Sequence, residues 1–279
     1  MLRIQSPVEG ESTPAVAPAA TVGLSRCHNG PHGLVEVAPA GQLISVVRTG
    51  FARFKAYARP RGRITGFSHK ARARMIKRLA SWAVDSVNNG LLVTLTYPEA
   101  WPADSADWKA HLKAWSKRFS RRFPGTCLAW KLEFQERGAP HFHVLIVGVQ
   151  FVPHEWVAAS WYEVVGSGDP RHLAAGTEIH RVWQKRQALA YISKYLGKVD
   201  QTCTGTYPGR YWGIIGRGQE PRAVSRFRLP LASAVALRRQ LRRVVEHRCR
   251  RTRRRPYRAG WLIIPGPVAA RLATWSLTL

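Results

Sequence analysis

The chain has 279 residues, and its 44 Lys and Arg outnumber its 16 Asp and Glu to give a formal net charge of +28. It is 45% hydrophobic with 11 Trp, enough for a buried core, yet no apolar run approaches the roughly 18 residues that span a bilayer. The scattered cysteines form no C-x-x-C pair, which argues against a zinc ribbon or a disulfide scaffold and fits a reducing cytoplasm. So large a positive excess indicates a polyanionic partner, and nucleic acid is favoured over a membrane.

The N-terminal part divides into two segments. Residues 1–45 are rich in Pro, Ala, Gly and Ser with little periodicity, so we predict that they are mostly disordered. Residues 46–87 form a basic region. Within it, residues 51–63, "FARFKAYARPRGR", mix aromatic and basic residues in a way that suits nucleic acid or a solvated linker. Ser68 then caps a predicted helix with one apolar face. Its other face carries the candidate nucleic-acid-binding residues Arg72, Arg74, Lys77 and Arg78.

Strands and helices alternate between residues 88 and 217. "LLVTLT" predicts a strand, and "SADWKAHLKAWSKRFSRRF" predicts a helix with an aromatic stripe. "TCLAWKLEFQ" and "HFHVLIVG" predict a hairpin, "PHEWVAASWYEVV" a helix and "TEIHRVW" a short strand. "KRQALAYISKYLGKV" predicts a further helix, and "GRYWGIIGRG" a turn region with a short strand. This order predicts an α+β fold, in which helices flank a central antiparallel sheet.

The C-terminal segment, residues 218–279, carries the densest positive charge. Residues 231–251 predict an amphipathic helix that runs into the Arg-rich stretch "RCRRTRRRPYR". Such a run is commonly a solvated tail, but the overall charge favours phosphate binding. The candidate phosphate-binding residues here are Arg238, Arg242, Arg251, Arg253, Arg254 and Arg255.

Two histidines separated by one residue stand at the start of an apolar strand. Because residues i and i+2 of a strand face the same side, His141 and His143 point together. A hairpin would return Glu133 beside them, and two imidazoles with one carboxylate make a three-ligand metal site with open positions. Glu136 in the turn is the competing ligand, and polar residues on a half-solvated sheet face are the simpler interpretation. The H-E-x-x-H pattern of metalloproteases is absent.

A tyrosine pair follows in "YISKYLGK". Tyr191 and Tyr195 lie one helical turn apart with Lys194 beside them, a spacing that also suits ordinary packing. A tyrosine hydroxyl is a poor nucleophile at its ordinary pKa of about 10. A phosphodiester polarised by a metal, with a lysine that favours the phenolate, makes attack by tyrosine feasible.

These motifs together resemble the HUH endonucleases, and more narrowly the two-tyrosine rolling-circle replication initiators of single-stranded DNA phages and plasmids. "LLVTLTYPE", "ERGAPHFHVLI" and "YISKYLGK" match the family's motifs in order, and "GRYWGIIGR" is similar to a downstream segment. The resemblance covers roughly residues 88–217. It implies a sheet of about five strands that forms an HUH endonuclease domain. It further implies Mg²⁺ or Mn²⁺ bound by His141, His143 and Glu133.

The resemblance also implies a reaction and its partners. Tyr191 would attack the scissile phosphate at a replication origin, leaving a 5′-phosphotyrosyl link and a 3′-OH that primes a host DNA polymerase. Tyr195 would make the next attack, and Lys194 would position the phosphate or assist proton transfer. No G-x-x-x-x-G-K-[ST] loop is present, so a host helicase would separate the strands. The expected setting is the cytoplasm of a bacterial host, with single-stranded and origin DNA as substrates.

Three alternatives stay open at this point. A conjugative relaxase is disfavoured because its tyrosine usually precedes the histidines, whereas a two-tyrosine single-strand transposase differs mainly in its DNA substrate. The third is a nucleic-acid-binding protein that kept the sheet but lost catalysis. It predicts salt-dependent binding, no covalent adduct and indifference to mutation of Tyr191.

Overall fold

The computed structural model describes residues 30–49, 62–64, 66–182, 207–222, 224–252 and 260–278. The strands are β1 His32–Ala38, β2 Leu43–Thr49, β3 Leu91–Thr96, β4 Cys127–Phe134, β5 Pro140–Val147, β6 Thr177–Arg181, β7 Trp212–Ile215, β8 Ser225–Pro230 and β9 Trp261–Ile263. The helices are α1 His69–Ala80, α2 Val84–Asn88, α3 Ser105–Arg122, α4 His154–Val165, α5 Pro170–Ala175, α6 Leu231–Thr252 and α7 Gly266–Leu277. A 3-10 turn spans Arg217–Gln219.

A five-stranded antiparallel sheet in the order β6-β3-β5-β4-β7 forms the centre of the fold. One face packs against α3 and α4, where Trp115, Phe119 and Trp161 are fully buried over Phe142 of β5. The aromatic stripe predicted for 105–123 therefore faces the sheet. Burial of several aromatic side chains supplies the largest apolar area on this face.

The opposite face of the same sheet is half apolar and half polar. At one end α1 lays Met75 and Leu79 over Leu92 and Leu145 of the strands. Ser68 caps this helix as predicted, since its Oγ accepts a hydrogen bond from the backbone N–H of Ala71 at 3.2 Å. Toward the other end the residues that face this side become polar, namely Thr94, Thr96, Lys131, Glu133, His141 and His143. The candidate site lies there.

A second, four-stranded sheet in the order β8-β1-β2-β9 packs against α6 and α7. The prediction that residues 1–45 are mostly disordered is wrong for residues 32–45, because β1 and the start of β2 fall within them. Val35, Val37, Ile44 and Val46 are buried against Leu237 and other residues of α6. The strands pair with segments some 190 residues later in the chain, so the local Pro- and Ala-rich composition did not reveal them.

Partly buried ion pairs join the two sheets through α1. Lys77 Nζ donates to Glu36 Oε2 of β1 at 2.9 Å and to Ser45 Oγ of β2 at 2.8 Å. The guanidinium of Arg78 binds the carboxylate of Glu220, which also accepts a hydrogen bond from Trp82 Nε1 at 2.6 Å. Two of the four basic residues predicted on this helix therefore hold the fold together.

The α+β prediction and its sheet of five antiparallel strands are confirmed. The second sheet was not predicted. Residues 51–61 of the aromatic and basic segment 51–63 lie outside the described residues, and so does the whole helix predicted for 185–199. The predicted domain boundaries stay predictions. No helix in the described ranges is long and apolar enough to cross a membrane.

Candidate metal and nuclease site

The register of the β4–β5 hairpin assembles the predicted ligands. Glu133 is the partner of His141 across the hairpin, and Lys131 is the partner of His143. All four side chains project from the same face, because strand residues alternate sides. The imidazole centroids of His141 and His143 lie 4.5 Å apart, and Nε2 of His143 lies 3.2 Å from Oε2 of Glu133. The predicted return of Glu133 to the histidine pair is confirmed, whereas Glu136 is exposed in the turn.

Two threonines of β3 orient the histidines. Thr96 Oγ1 hydrogen-bonds with Nδ1 of His141 at 3.2 Å, and Thr94 Oγ1 does so with Nδ1 of His143 at 3.3 Å. When Nδ1 of His141 donates to Thr96, its Nε2 is left unprotonated and carries the lone pair that a metal ion needs. Nε2 of His143 lies at hydrogen-bond distance from Glu133 and would have to give up that contact to bind a metal ion. Each imidazole is thus held by its Nδ1 side, and a partner hydrogen bond of this kind is usual around metal-binding histidines.

Burial keeps His141 neutral at physiological pH. Its pKa is lowered to about 4, mainly by desolvation and also by the neighbouring His143 and Arg137, while Glu133 opposes the shift. A neutral imidazole is the form that binds metal ions. His141 is therefore in the neutral form that can bind a metal ion at physiological pH.

A buried lysine binds the third candidate ligand. Lys131 is 0% exposed, and its ammonium contacts Oε1 of Glu133, itself 5% exposed. Burial raises the pKa of Glu133, but the hydrogen bonds and charges of His143 and Lys131 outweigh it, so the net pKa is lowered. The Lys131 ammonium also lies 5.0 Å from the centroid of the Phe67 ring, which makes a cation–π contact. Glu133 is therefore an ionised carboxylate with a positive partner.

A short turn fixes the hairpin that carries these groups. Gly138 adopts a φ of +83°, a left-handed conformation that favours glycine, and its N–H donates to Gln135 O at 2.8 Å. The guanidinium of Arg137 donates to the carbonyls of Tyr97 at 2.7 Å and Pro98 at 3.0 Å, just beyond the end of β3. The turn is thereby attached to the strand that carries the orienting threonines.

The chemistry of this donor set fits a divalent cation, since it combines two imidazoles with a carboxylate. Within the described part of the chain, however, no group of three or more His, Cys, Asp or Glu side chains could hold a metal ion as it stands. The carboxylate of Glu133 is instead bound by Lys131 and His143. Metal binding at His141, His143 and Glu133 would require the carboxylate to leave these partners.

The predicted nucleophiles are not tested by the structure. Tyr191, Lys194 and Tyr195 lie outside the described residues, as do Arg253, Arg254 and Arg255 and the side chain of Arg251. Of the remaining basic candidates, Arg74 and Arg238 are exposed and Arg72 is half-buried. Arg242 is exposed and donates to Glu246 at 2.6 Å, one turn further along α6.

Lys131, Thr94, Thr96 and Arg137 were missed from the sequence. Lys131 precedes Glu133 by two residues, so strand periodicity alone would have placed it on the site's face. The threonines alternate in β3 with the same period, but their pairing with β5 required the register. Nothing local to Arg137 indicates that it reaches the end of another strand.

Comparison with known proteins supports a role in replication. Residues 90–200 match the ORF2 family of replication-associated proteins. Two proteins of Xylella fastidiosa, both named "putative replication protein", are similar to parts of the chain. The protein of strain Temecula1 is 36% identical over 173 residues, which are 56% of this chain and 63% of that protein. The protein of strain 9a5c is 32% identical over 107 residues, which are 38% of this chain and 34% of that protein. The chain thus matches less than two thirds of either relative. No solved structure is significantly similar to it.

Proposed function

We propose that this protein initiates rolling-circle replication by nicking single-stranded DNA at an origin and rejoining it. One observation carries the proposal: Glu133, His141 and His143 converge on one face of the sheet. The motif that supplies Tyr191 and Tyr195 falls within the segment that matches a replication-associated family. The net charge of +28 suits a polyanionic substrate.

In this proposal the described residues prepare a phosphate-binding site. Thr94 and Thr96 hold the imidazoles of His143 and His141, and Lys131 keeps Glu133 ionised. Mg²⁺ or Mn²⁺ bound by the two histidines and Glu133 would supply positive charge that polarises the scissile phosphodiester. Water-excluded surroundings strengthen such electrostatic effects.

Tyr191 is the proposed nucleophile. Its hydroxyl gives up a proton as its oxygen forms a bond to phosphorus and the bond to the 3′ oxygen breaks. The departing 3′ oxygen takes up one proton, so the step is a net transfer of a proton from the tyrosine to the 3′-OH. The phosphotyrosyl ester conserves the energy of the phosphodiester, so a 3′-OH can later attack it and rejoin the strand. After a round of synthesis Tyr195 makes the next attack, which allows termination and ring closure. Lys194 stabilises the negative charge that develops on the phosphate. A host polymerase would extend the 3′-OH, and a host helicase would open the duplex in the bacterial cytoplasm.

The test is a search for a covalent protein–DNA adduct. The protein is incubated with labelled single-stranded oligonucleotides and Mn²⁺, then separated on a denaturing gel. Tyr191→Phe, EDTA and the pair His141→Ala with His143→Ala should each remove the shifted band. Tyr207→Phe is the matched control, because Tyr207 is an exposed tyrosine outside the motif and its loss should leave the band unchanged.

The remaining outcomes separate the alternatives. If Tyr195→Phe keeps the first adduct but blocks strand transfer, the second tyrosine has the proposed role. An adduct that forms on transposon ends but not on any replication origin would indicate a transposase. Tight binding without an adduct, even on the origin of the cognate replicon, would indicate a DNA-binding protein that lacks this chemistry.

A further inference from the structure

A cavity of about 660 Å³ lies on the same sheet face as the histidines, between α1 and the edge strand β7. Arg74 and Arg78 of α1 form one wall, and Arg210 and Arg217 stand at the ends of the β7 segment. Phe67, Tyr211, Trp212 and Ile214 supply its apolar lining. The lining therefore combines cationic side chains with aromatic rings and contains no acidic side chain.

The four arginines of the cavity differ in their ion pairs and in their exposure. Arg78 is bound to Glu220 and belongs to the joint between the two sheets. Arg74, Arg210 and Arg217 are exposed, and none of them makes an ion pair with a described residue. Three cations of this kind around one cavity are available to bind successive phosphates of a polyanion.

The aromatic lining also divides into two groups. Phe67 and Tyr211 are 2% and 3% exposed, so they form the floor of the cavity. Trp212 is half-buried and presents part of its ring. A partly exposed indole next to arginines is a platform on which a nucleic-acid base can stack, whatever its sequence.

The cavity lies beside the candidate nuclease site on the same face of the sheet. Trp212 of β7 is the register partner of Lys131, which is in turn the partner of His143. Since neighbouring strands are about 4.8 Å apart, Trp212 lies about 10 Å across the sheet from His143. Phe67 lines the cavity and also contacts the Lys131 ammonium. A strand seated in the cavity would therefore run on toward the histidines within a few nucleotides.

We infer that this cavity is a groove that binds the single-stranded DNA flanking the nick site. Arg74, Arg210 and Arg217 contact its phosphates and Trp212 stacks on a base. Duplex DNA is disfavoured, because its bases are already stacked on each other and present no free face to Trp212. The inference rests on the proposed function for its choice of polymer, but the binding itself requires no cleavage.

The test measures binding in EDTA, so that no strand is cut. A fluorescein-labelled single strand of about 16 nucleotides is titrated with protein, and anisotropy is followed between about 50 and 200 mM salt. A double variant of the cavity, Arg74→Gln with Arg217→Gln, is called the groove pair. It is compared with a control pair, Arg121→Gln with Arg122→Gln. The control pair removes the same charge from exposed positions of α3, on the opposite face of the sheet.

Each phosphate contact of a single strand contributes about 0.7 to the slope of log K against log salt. Loss of two contacts should make the slope shallower by about 1.4 and weaken binding about 25-fold at 0.1 M salt. The control pair should change both quantities much less. Equal losses in the two pairs, or none in the groove pair, would overturn the inference.

Trp212 provides a second, independent readout. Trp212→Leu should weaken binding about fivefold or more but leave the salt slope unchanged, because stacking releases no counterions. Trp212→Phe keeps an aromatic ring and should retain most of the wild-type affinity. A strand that carries 5-iodouracil should cross-link to the peptide that contains Trp212. Cross-links only elsewhere, or tighter binding of a duplex of the same length, would count against a single-strand groove.

The two proposals fail in different ways. If the protein forms the tyrosine adduct but the groove variants bind like wild type, the groove is wrong and the nuclease function stands. If the groove variants lose binding but no adduct forms on any origin, the groove stands and the nuclease function is wrong. Circular dichroism and the melting temperature of each variant confirm that the fold is intact.

Discussion

Replacement of Glu133 by Gln should destabilise the protein strongly even without metal. Lys131 and Glu133 are almost fully buried and in direct contact. Removal of one partner leaves the Lys131 ammonium buried without its counter-charge, which typically costs about 3–5 kcal/mol. For a domain of this size, 1 kcal/mol corresponds to roughly 2–4 °C, so the melting temperature should fall by about 6–20 °C.

Thermal unfolding in EDTA at pH 7.5, followed by circular dichroism, measures this effect. Glu178→Gln is the matched control, because Glu178 pairs with His180 at 2.7 Å on the edge strand β6 with its side chain 61% exposed. An exposed pair contributes about 0–1 kcal/mol, so this variant should melt within a few degrees of wild type. The double variant Lys131→Met with Glu133→Gln should recover much of the loss, because it removes both charges.

A Glu133→Gln variant that melts like the Glu178→Gln control would refute this reasoning. It would mean that the Lys131 ammonium escapes to solvent or deprotonates without cost. If the double variant is no more stable than Glu133→Gln alone, the loss arises from packing and not from the uncompensated charge.

Three further predictions concern neighbouring features. In the unfolded chain His141 takes up a proton below its ordinary pKa of 6.5, whereas in the folded protein it does so only near pH 4. The free energy of unfolding should therefore fall as the pH drops from about 6.5 to about 4. His141→Asn should reduce this loss of stability, as measured by urea unfolding. Arg137→Met should accelerate amide hydrogen exchange at the hairpin turn, because its guanidinium ties the turn to the end of β3; unchanged exchange would contradict this role. Gly213→Ala should cost about 1–3 kcal/mol, because the new Cβ would lie 2.8 Å from Trp130 Nε1. Gly218→Ala, with no atom within 4 Å of the new Cβ, should cost much less in the same melting assay.

Local sequence pattern predicted most of the central sheet and its helices. Short apolar runs mark β3, β4 and β5, and the aromatic spacing of α3 marks the face that it buries. The hairpin motif also predicted the neighbourhood of Glu133 and the histidines, because strand periodicity and a short turn largely determine which residues meet. These features depend on residues within about ten positions of each other, where backbone geometry leaves few alternatives.

The sequence by itself determined the composition, the strand and helix signals and the order of the motifs. Only the tertiary structure decided that β1 and β2 pair with β8 and β9 in a second sheet, and that Lys77 and Arg78 hold the two sheets together. It also set Trp212 and the arginines of the cavity on the same sheet face as the histidines, two strands away from His143. Such contacts join distant parts of the chain, and their energies come from burial and from charge pairing across elements. A pattern read along one segment carries no information about which other segment will cover it.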